Sequence, residues 1–184
     1  MQLTKLEHVE AGGHIAARDL TINNYAAPKS QIAQLYEQLK VEAHAAPAEQ
    51  KTFIEDLQHF MDRRATLVNR SLAEKLFSSN RSELLEDAEE AKERAFKRIV
   101  RFQSSPTAQA IFAYTLGDIR TRFNQYVRPL IAENANRSAI DAAIHQHVIS
   151  PIVESAEPSE LGINPTLAEA LYYFLAGNCH IKWD

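Results

Sequence analysis

Few residues in this chain have both the type and the spacing for chemistry, and each set can be weighed against helix or strand geometry. His145 and His147 stand two apart. On a helix that separates them by about 200° around the axis, so they cannot chelate one ion together; helical zinc pairs use a spacing of four. Asp141 and His145 do have the i,i+4 spacing of an acid/base pair, which is also that of an ordinary hydrogen-bonded surface pair. Cys179 and His180 are adjacent. In a strand they would face opposite ways, which argues against a thiolate–imidazolium dyad and for Cys179 as a small buried hydrophobe. Gly12 and Gly13 lack the Lys-Ser/Thr and the following apolar helix of a phosphate loop. The acids of EDAEEAKERAFKR pair by spacing with bases one turn on, Glu90 with Arg94 and Glu93 with Lys97, which predicts a solvated helix face. These tests leave no cofactor, nucleotide or metal site, and the chain is expected not to be an enzyme.

The elements that position these residues are mostly helices. The 184 residues hold 45% hydrophobic side chains with only five Gly and seven Pro, the make-up of a folded helical domain. From Ser30 to Ala176 the apolar spacing is helical. Ile32, Leu35, Tyr36 and Leu39 form one stripe, and Phe53, Leu57, Phe60, Met61, Leu67 and Val68 form the next. Phe112, Leu116, Ile119, Phe123, Tyr126, Val127 and Leu130 share a face further on. Asn80 or Ser82 is placed to cap the acidic helix, Ser105-Pro106 and Asn164-Pro165 to open two others, and Ser138 to open a fourth. Pro129 should kink or end its helix, Pro151 lies near the end of another, and Gly177 is positioned as a left-handed terminator. The expected fold is mainly α, six or seven helices, with a short N-terminal β segment and a short C-terminal strand.

The two ends differ from this body. In HVEAGGHIAARDLTINNY apolar and polar residues alternate around Gly12-Gly13, which suits short strands and a turn. The final CHIKW alternates as well, which would put Cys179, Ile181 and Trp183 on a buried face and His180 and Lys182 on the other. Each strand would have unpaired backbone groups needing a partner, so the tail is expected to pair with Ile15–Ile22 and to pack Trp183 on the helix holding Leu171 and Phe174. The division that follows is a strand arm at 1–27 and a helical domain at 28–184.

Composition also restricts partners and location. A single Cys allows no internal disulfide, and residues 1–20 hold no apolar run of signal-peptide type, which predicts a reducing cytoplasm. No run approaches the roughly 20 apolar residues of a bilayer span. A net charge of −4 makes nucleic acid an improbable partner. Arg98, Arg101, Arg120, Arg122 and Arg128 could still gather into a basic patch. An open strand edge would favour a homo-oligomer.

The ending YYFLAGNCHIKWD resembles the close of the small α-helical C-terminal domains of bacterial ABC three-component systems, which are implicated in conflict with phage and mobile elements. GGHIAARDLTINNY is similar to the Gly-rich, Asp-containing strand motif that precedes helices in such effector proteins, with Ala17 where a Gly would be expected. The resemblance implies a noncatalytic interaction module that couples an effector to a partner component. It carries over no catalytic residue. Because only the arm precedes the helices, it also implies a coupling module without its effector domain, and protein partners encoded nearby. On this reading the interaction residues are Gly12, Gly13, Arg18 and Asp19 at one end and Asn178, Cys179, His180, Lys182 and Trp183 at the other. Two other functions fit the same residues: a small helical enzyme in which Asp141, His145 and His180 meet, and a helical regulator that binds nucleic acid.

Overall fold

Capping chemistry sets most helix starts. In the computed structural model, which describes residues 29–42, 52–64 and 70–183, the Ser105 hydroxyl accepts from the Ala108 N–H and the Asn164 carboxamide from the Leu167 N–H. Each thereby satisfies one of the donors a helix start leaves open. Ser71 forms a full capping box with Glu74. The Ser71-x-x-Glu74 spacing is readable in the sequence. Two expected starts move. Asn136, not Ser138, caps its helix, accepting from Ala139. Near position 80 no side chain caps at all, because Asn80 takes a left-handed φ of 55° and Arg81 leads into a 3-10 turn at Ser82–Leu84.

The helices are α1 (Gln31–Glu42), α2 (Glu55–Met61), α3 (Leu72–Ser78) and α4 (Leu85–Arg101). Helix α5 runs continuously through Pro106–Arg122, a π turn at Phe123–Val127 and Arg128–Ala132. Helix α6 runs likewise through Arg137–Ala143, a π turn at Ile144–Ile149 and Ser150–Ser155, and α7 is Pro165–Gly177. Pro129 was expected to kink or end its helix, yet the helix runs on to Ala132; Pro151 was placed near the end of another and lies there, in the segment that ends at Ser155. Each follows a π turn, where the Arg128 and Ser150 N–H groups reach back five residues, to Phe123 and His145. The wider turn relieves the clash a proline ring makes with the carbonyl four residues back. The two π turns touch each other, and Tyr126 stacks on His147 across them at 4.6 Å.

Helix α7 is apolar on nearly every face and is accordingly the centre. Leu167, Leu171, Phe174 and Leu175 are buried together with the small residues Ala168, Ala170 and Ala176. Its main neighbour is α4, whose buried stripe is Ala88, Ala95 and Ile99. Small side chains on both helices allow close approach. The opposite face of α4 carries the anticipated pairs, Glu90–Arg94 at 2.5 Å and Glu93–Lys97 at 2.7 Å. Helix α5 contributes Ile111, Phe112, Leu116, Ile119 and Phe123 to the same core. Buried Gln109 ties the approach to α2 onto α5, accepting from the Ile54 N–H at 2.6 Å and donating to the Thr52 carbonyl.

The predicted C-terminal strand is not formed, and no strand occurs among the described residues. Instead α7 ends in a Schellman motif. Cys179 takes the left-handed conformation (φ 64°), its N–H bonds to the Ala176 carbonyl, and the His180 N–H bonds to the Leu175 carbonyl at 2.9 Å. These bonds satisfy the Cys179 and His180 donors, the first of those for which a strand partner had been invoked. Gly177 is therefore not the left-handed residue. It stays helical, where a Cβ would come within 2.6 Å of the Lys92 side chain. The proposed partner segment Ile15–Ile22 lies outside the described residues, as does the whole arm at 1–27 with Gly12, Gly13, Arg18 and Asp19. Self-association was argued from an open strand edge, and the described residues contain none. No helix among them is long and apolar enough to cross a membrane.

Candidate functional site

The tail that follows α7 lies in a groove of the helical body, and each residue meets a different element. Asn178 fastens it to the end of α2: its carboxamide donates to the Phe60 and Met61 carbonyls at 3.1 and 3.3 Å, and its own carbonyl accepts from the Arg64 N–H at 3.0 Å. Cys179 turns its buried sulfur toward Lys75 of α3, with Nζ to Sγ at 3.4 Å. Lys75 is itself buried and also donates to the Ala176 carbonyl at the end of α7. Burial pushes the Cys179 thiol up, but a hydrogen bond from Arg63 and the Lys75 charge outweigh it, so its pKa falls below the usual thiol value.

His180 was expected to face away from Cys179 and toward solvent, yet it is buried as well. It is set edge-on to Phe60 and tilted against His59, with centroids 5.3 and 5.2 Å away. Nε2 lies 3.1 Å from the Asp62 carbonyl, which assigns the proton to Nε2. Nδ1 is buried without a partner. Burial is the main reason the His180 pKa is pushed down to about 4; His59, Arg120 and Arg64 act in the same direction, and the bond to Asp62 opposes them. An imidazolium there would present an Nδ1–H with no acceptor.

This arrangement has a measurable consequence for stability. An unfolded His binds its proton near pH 6.5 and folded His180 only near pH 4, so between those values the unfolded chain holds the extra proton. Stability contributed by neutral His180 is intact above pH 6.5, falls as the pH drops through that window and is fully lost below it. At 1.36 kcal/mol per pKa unit the loss is about 3 kcal/mol. Urea midpoints measured from pH 7 to pH 4 should fall in the native chain, and the fall should be shallower by this amount in His180→Phe. Parallel profiles for the two proteins would remove His180 as the cause.

Beyond His180, Ile181 is buried, Lys182 is exposed, and Trp183 closes the tail against α7. Its ring stacks on Tyr172 at 5.8 Å and meets Tyr173 edge-on at 6.1 Å, so the expected packing on the helix of Leu171 and Phe174 is formed, through the next two residues on that helix. The Arg81 guanidinium lies over the Trp183 ring, 5.9 Å from its centroid. Arg81 is buried and donates to Asp141 of α6 at 2.6 Å. Asp141 also meets Arg137 at 3.5 Å, and Arg137 pairs with Glu83. Beside this network is a cleft of about 480 Å³ lined by Arg81, Asp141, His145, Glu169, Tyr173 and Trp183, among others.

The structure thus places the predicted residues in two groups. Asn178, Cys179 and His180 lie with α2 and α3, and Trp183 lies with Arg81, Asp141 and α7. Asp141 bonds to arginines, not to His145, and His180 has its contacts on α2, so the three residues of the enzyme reading share no partner. Among the described residues no three His, Cys, Asp or Glu side chains could hold a metal ion together. Sequence reasoning missed Lys75 and Arg81, because burial of a cation depends on tertiary contacts that periodicity does not encode. The Arg63-Arg64 doublet after α2 was visible but unused.

A comparison with known families matches residues 71–183 to C-terminal domain 9 of the ABC-three component (ABC-3C) systems. Neither the curated proteins nor the solved structures yield a match. The matched stretch opens on the Ser71 capping box, ends on Trp183 and takes in α3 to α7 with the whole tail. Covering more than half of the chain, it establishes that this protein belongs to the C-terminal domain 9 family of the ABC-three component systems.

Proposed function

We propose that this chain is a noncatalytic interaction module of a bacterial defence system directed at phage and mobile elements, and that it couples an effector to another protein component. The observation that carries this reading is the use of the tail. Asn178, Cys179, His180 and Trp183 supply the functional groups most suited to chemistry, and each is engaged in holding the tail to the helical body. Family membership in a multicomponent system supports the existence of protein partners. A rigid tail docked between α2, α3 and α7 presents the same face each time a partner arrives, which reduces the ordering cost of association. Co-expression with the products of adjacent genes, followed by purification through a tag on this chain, tests the reading. A stable complex with one of them is expected. Absence of any complex while both proteins are soluble would overturn it.

A further inference from the structure

Two polar groups in the wall of the cleft beside Trp183 have no hydrogen-bond partner among the described residues. Tyr172 is 2% exposed and Trp183 is 8% exposed. Both line the cleft, and the phenol hydroxyl of one and the indole N–H of the other are buried and unbonded. The Tyr172 hydroxyl feels the Trp183 N–H and also Tyr173, Arg81 and Asp141, all of which line the same cleft. Were the indole to close on the phenol, the phenol proton would still lack an acceptor. A buried donor left unpaired is costly, and native interiors pair such groups or bring in an outside one.

Size separates a water from a larger occupant. The cleft holds about 480 Å³, within the range of about 300–1,000 Å³ of small-molecule sites, whereas a water occupies about 30 Å³. A second opening of about 230 Å³ adjoins it through the shared Arg81, Arg137, Ile144 and Trp183. One wall is the π turn of α6, with Ile144, His145 and Ile149, and such turns recur at functional sites. Aromatic and aliphatic surface suits a flat ring. The charges lining the cleft are balanced, Arg81 and Arg137 against Asp141 and Glu169, and the arginines are already paired with Asp141 and Glu83. An anion therefore meets no net attraction there.

We propose that this cleft binds a small uncharged ring compound with a carbonyl acceptor and sugar hydroxyls, a nucleoside by class. The carbonyl accepts from the Tyr172 hydroxyl and the Trp183 N–H, the ring lies against Tyr173 and Ile149, and the hydroxyls donate to the exposed Glu169 carboxylate at the mouth. Trp183 closes the described tail, so its ring is the wall that turns to admit the carbonyl. No motif announces the site, because its walls come from the stretch after α3, from α6, from α7 and from the tail. It stands apart from the coupling function: failure to co-purify a partner leaves the cleft unjudged, and absence of a ligand leaves coupling untouched.

The test titrates the full chain with uridine, cytidine and guanosine by calorimetry, with emission of Trp183, the one Trp of the chain, as a second signal. At least one nucleoside should bind with a Kd below about 1 mM, shift that emission and raise the melting temperature. Its monophosphate should bind more weakly. Tyr172→Phe keeps the stack on Trp183 and removes the hydroxyl, so it should fold and lower the affinity about three- to ten-fold, the worth of one hydrogen bond. Tyr126→Phe, outside the cleft, should change nothing. Thr166→Trp at the exposed mouth blocks entry without touching the core and should abolish binding, which judges the proposal where Tyr172→Phe is unstable. No response to any of the three nucleosides, tighter binding of the monophosphate, undiminished affinity in Tyr172→Phe, or binding that survives Thr166→Trp would each overturn the proposal.

Discussion

Trp183→Ala should lower stability by about 3–5 kcal/mol, the usual cost of deleting a buried aromatic side chain, and the melting temperature by roughly 10 °C. The size of the effect follows from what the ring touches. It is buried, stacked on Tyr172, edge-on to Tyr173 and covered by the Arg81 guanidinium. Alanine would open a cavity between α7 and a buried cation, and Arg81 would lose the aromatic face that compensates part of its desolvation. Trp183→Phe should recover more than half of the loss. The Trp183 Nε1 and the Tyr172 hydroxyl are both buried without a hydrogen-bond partner, so phenylalanine keeps the stack and removes one unsatisfied donor. Burial holds the Tyr172 hydroxyl well above its usual pKa; the nearby Trp183 N–H opposes that shift without reaching hydrogen-bond geometry. Thermal melts of the three proteins decide the matter. An unchanged melt for Trp183→Ala would mean that the tail is a free peptide, open to capture by a partner through strand addition.

Helical content was legible because it depends on local rules. The Phe112–Val127 stripe, the Ser105 and Asn164 caps and the salt-bridged face of α4 all follow from 3.6-residue periodicity and from unpaired N–H groups at helix starts. The tail was misread for a related reason. Alternation in CHIKW is a strand signal only when the backbone needs a partner strand, and here the last turn of α7 supplies the acceptors. Burial of His180 then violates the alternation, since a groove between helices surrounds a chain on several sides where a sheet offers it one face. Pro129 misled similarly, because a π turn admits a proline that a regular α-helix would reject. Of the site, the concentration of Cys, His and Trp at the chain end was visible. Their division between the α2 and α3 side of the groove and an aromatic cleft was not, because Lys75, Arg81, Asp141 and Arg120 come from distant parts of the sequence and meet the tail only in the fold.

The Arg81–Asp141 pair makes the second large effect. Arg81 is 5% exposed, whereas the Asp141 side chain is 48% exposed, so the pair joins a buried cation to a half-solvated anion. Asp141→Ala leaves the guanidinium buried without its carboxylate. Where both partners are buried, removing one costs about 3–5 kcal/mol, and solvent on Asp141 should reduce this to about 2–3 kcal/mol. Arg137 does not make up the difference, being cationic and already paired with Glu83. Replacing both members, Arg81→Met with Asp141→Ala, removes the buried charge along with its partner. The double variant should therefore be less destabilised than the sum of the single ones, with a coupling of about 1–2 kcal/mol. Urea unfolding of the four proteins gives that coupling directly. Strict additivity would show that Asp141 contributes no more than an exposed ion pair and that the neighbouring cleft hydrates Arg81. A positive coupling would make Asp141 the residue that holds Arg81 over Trp183, and thereby the link through which α6 fixes the end of the tail.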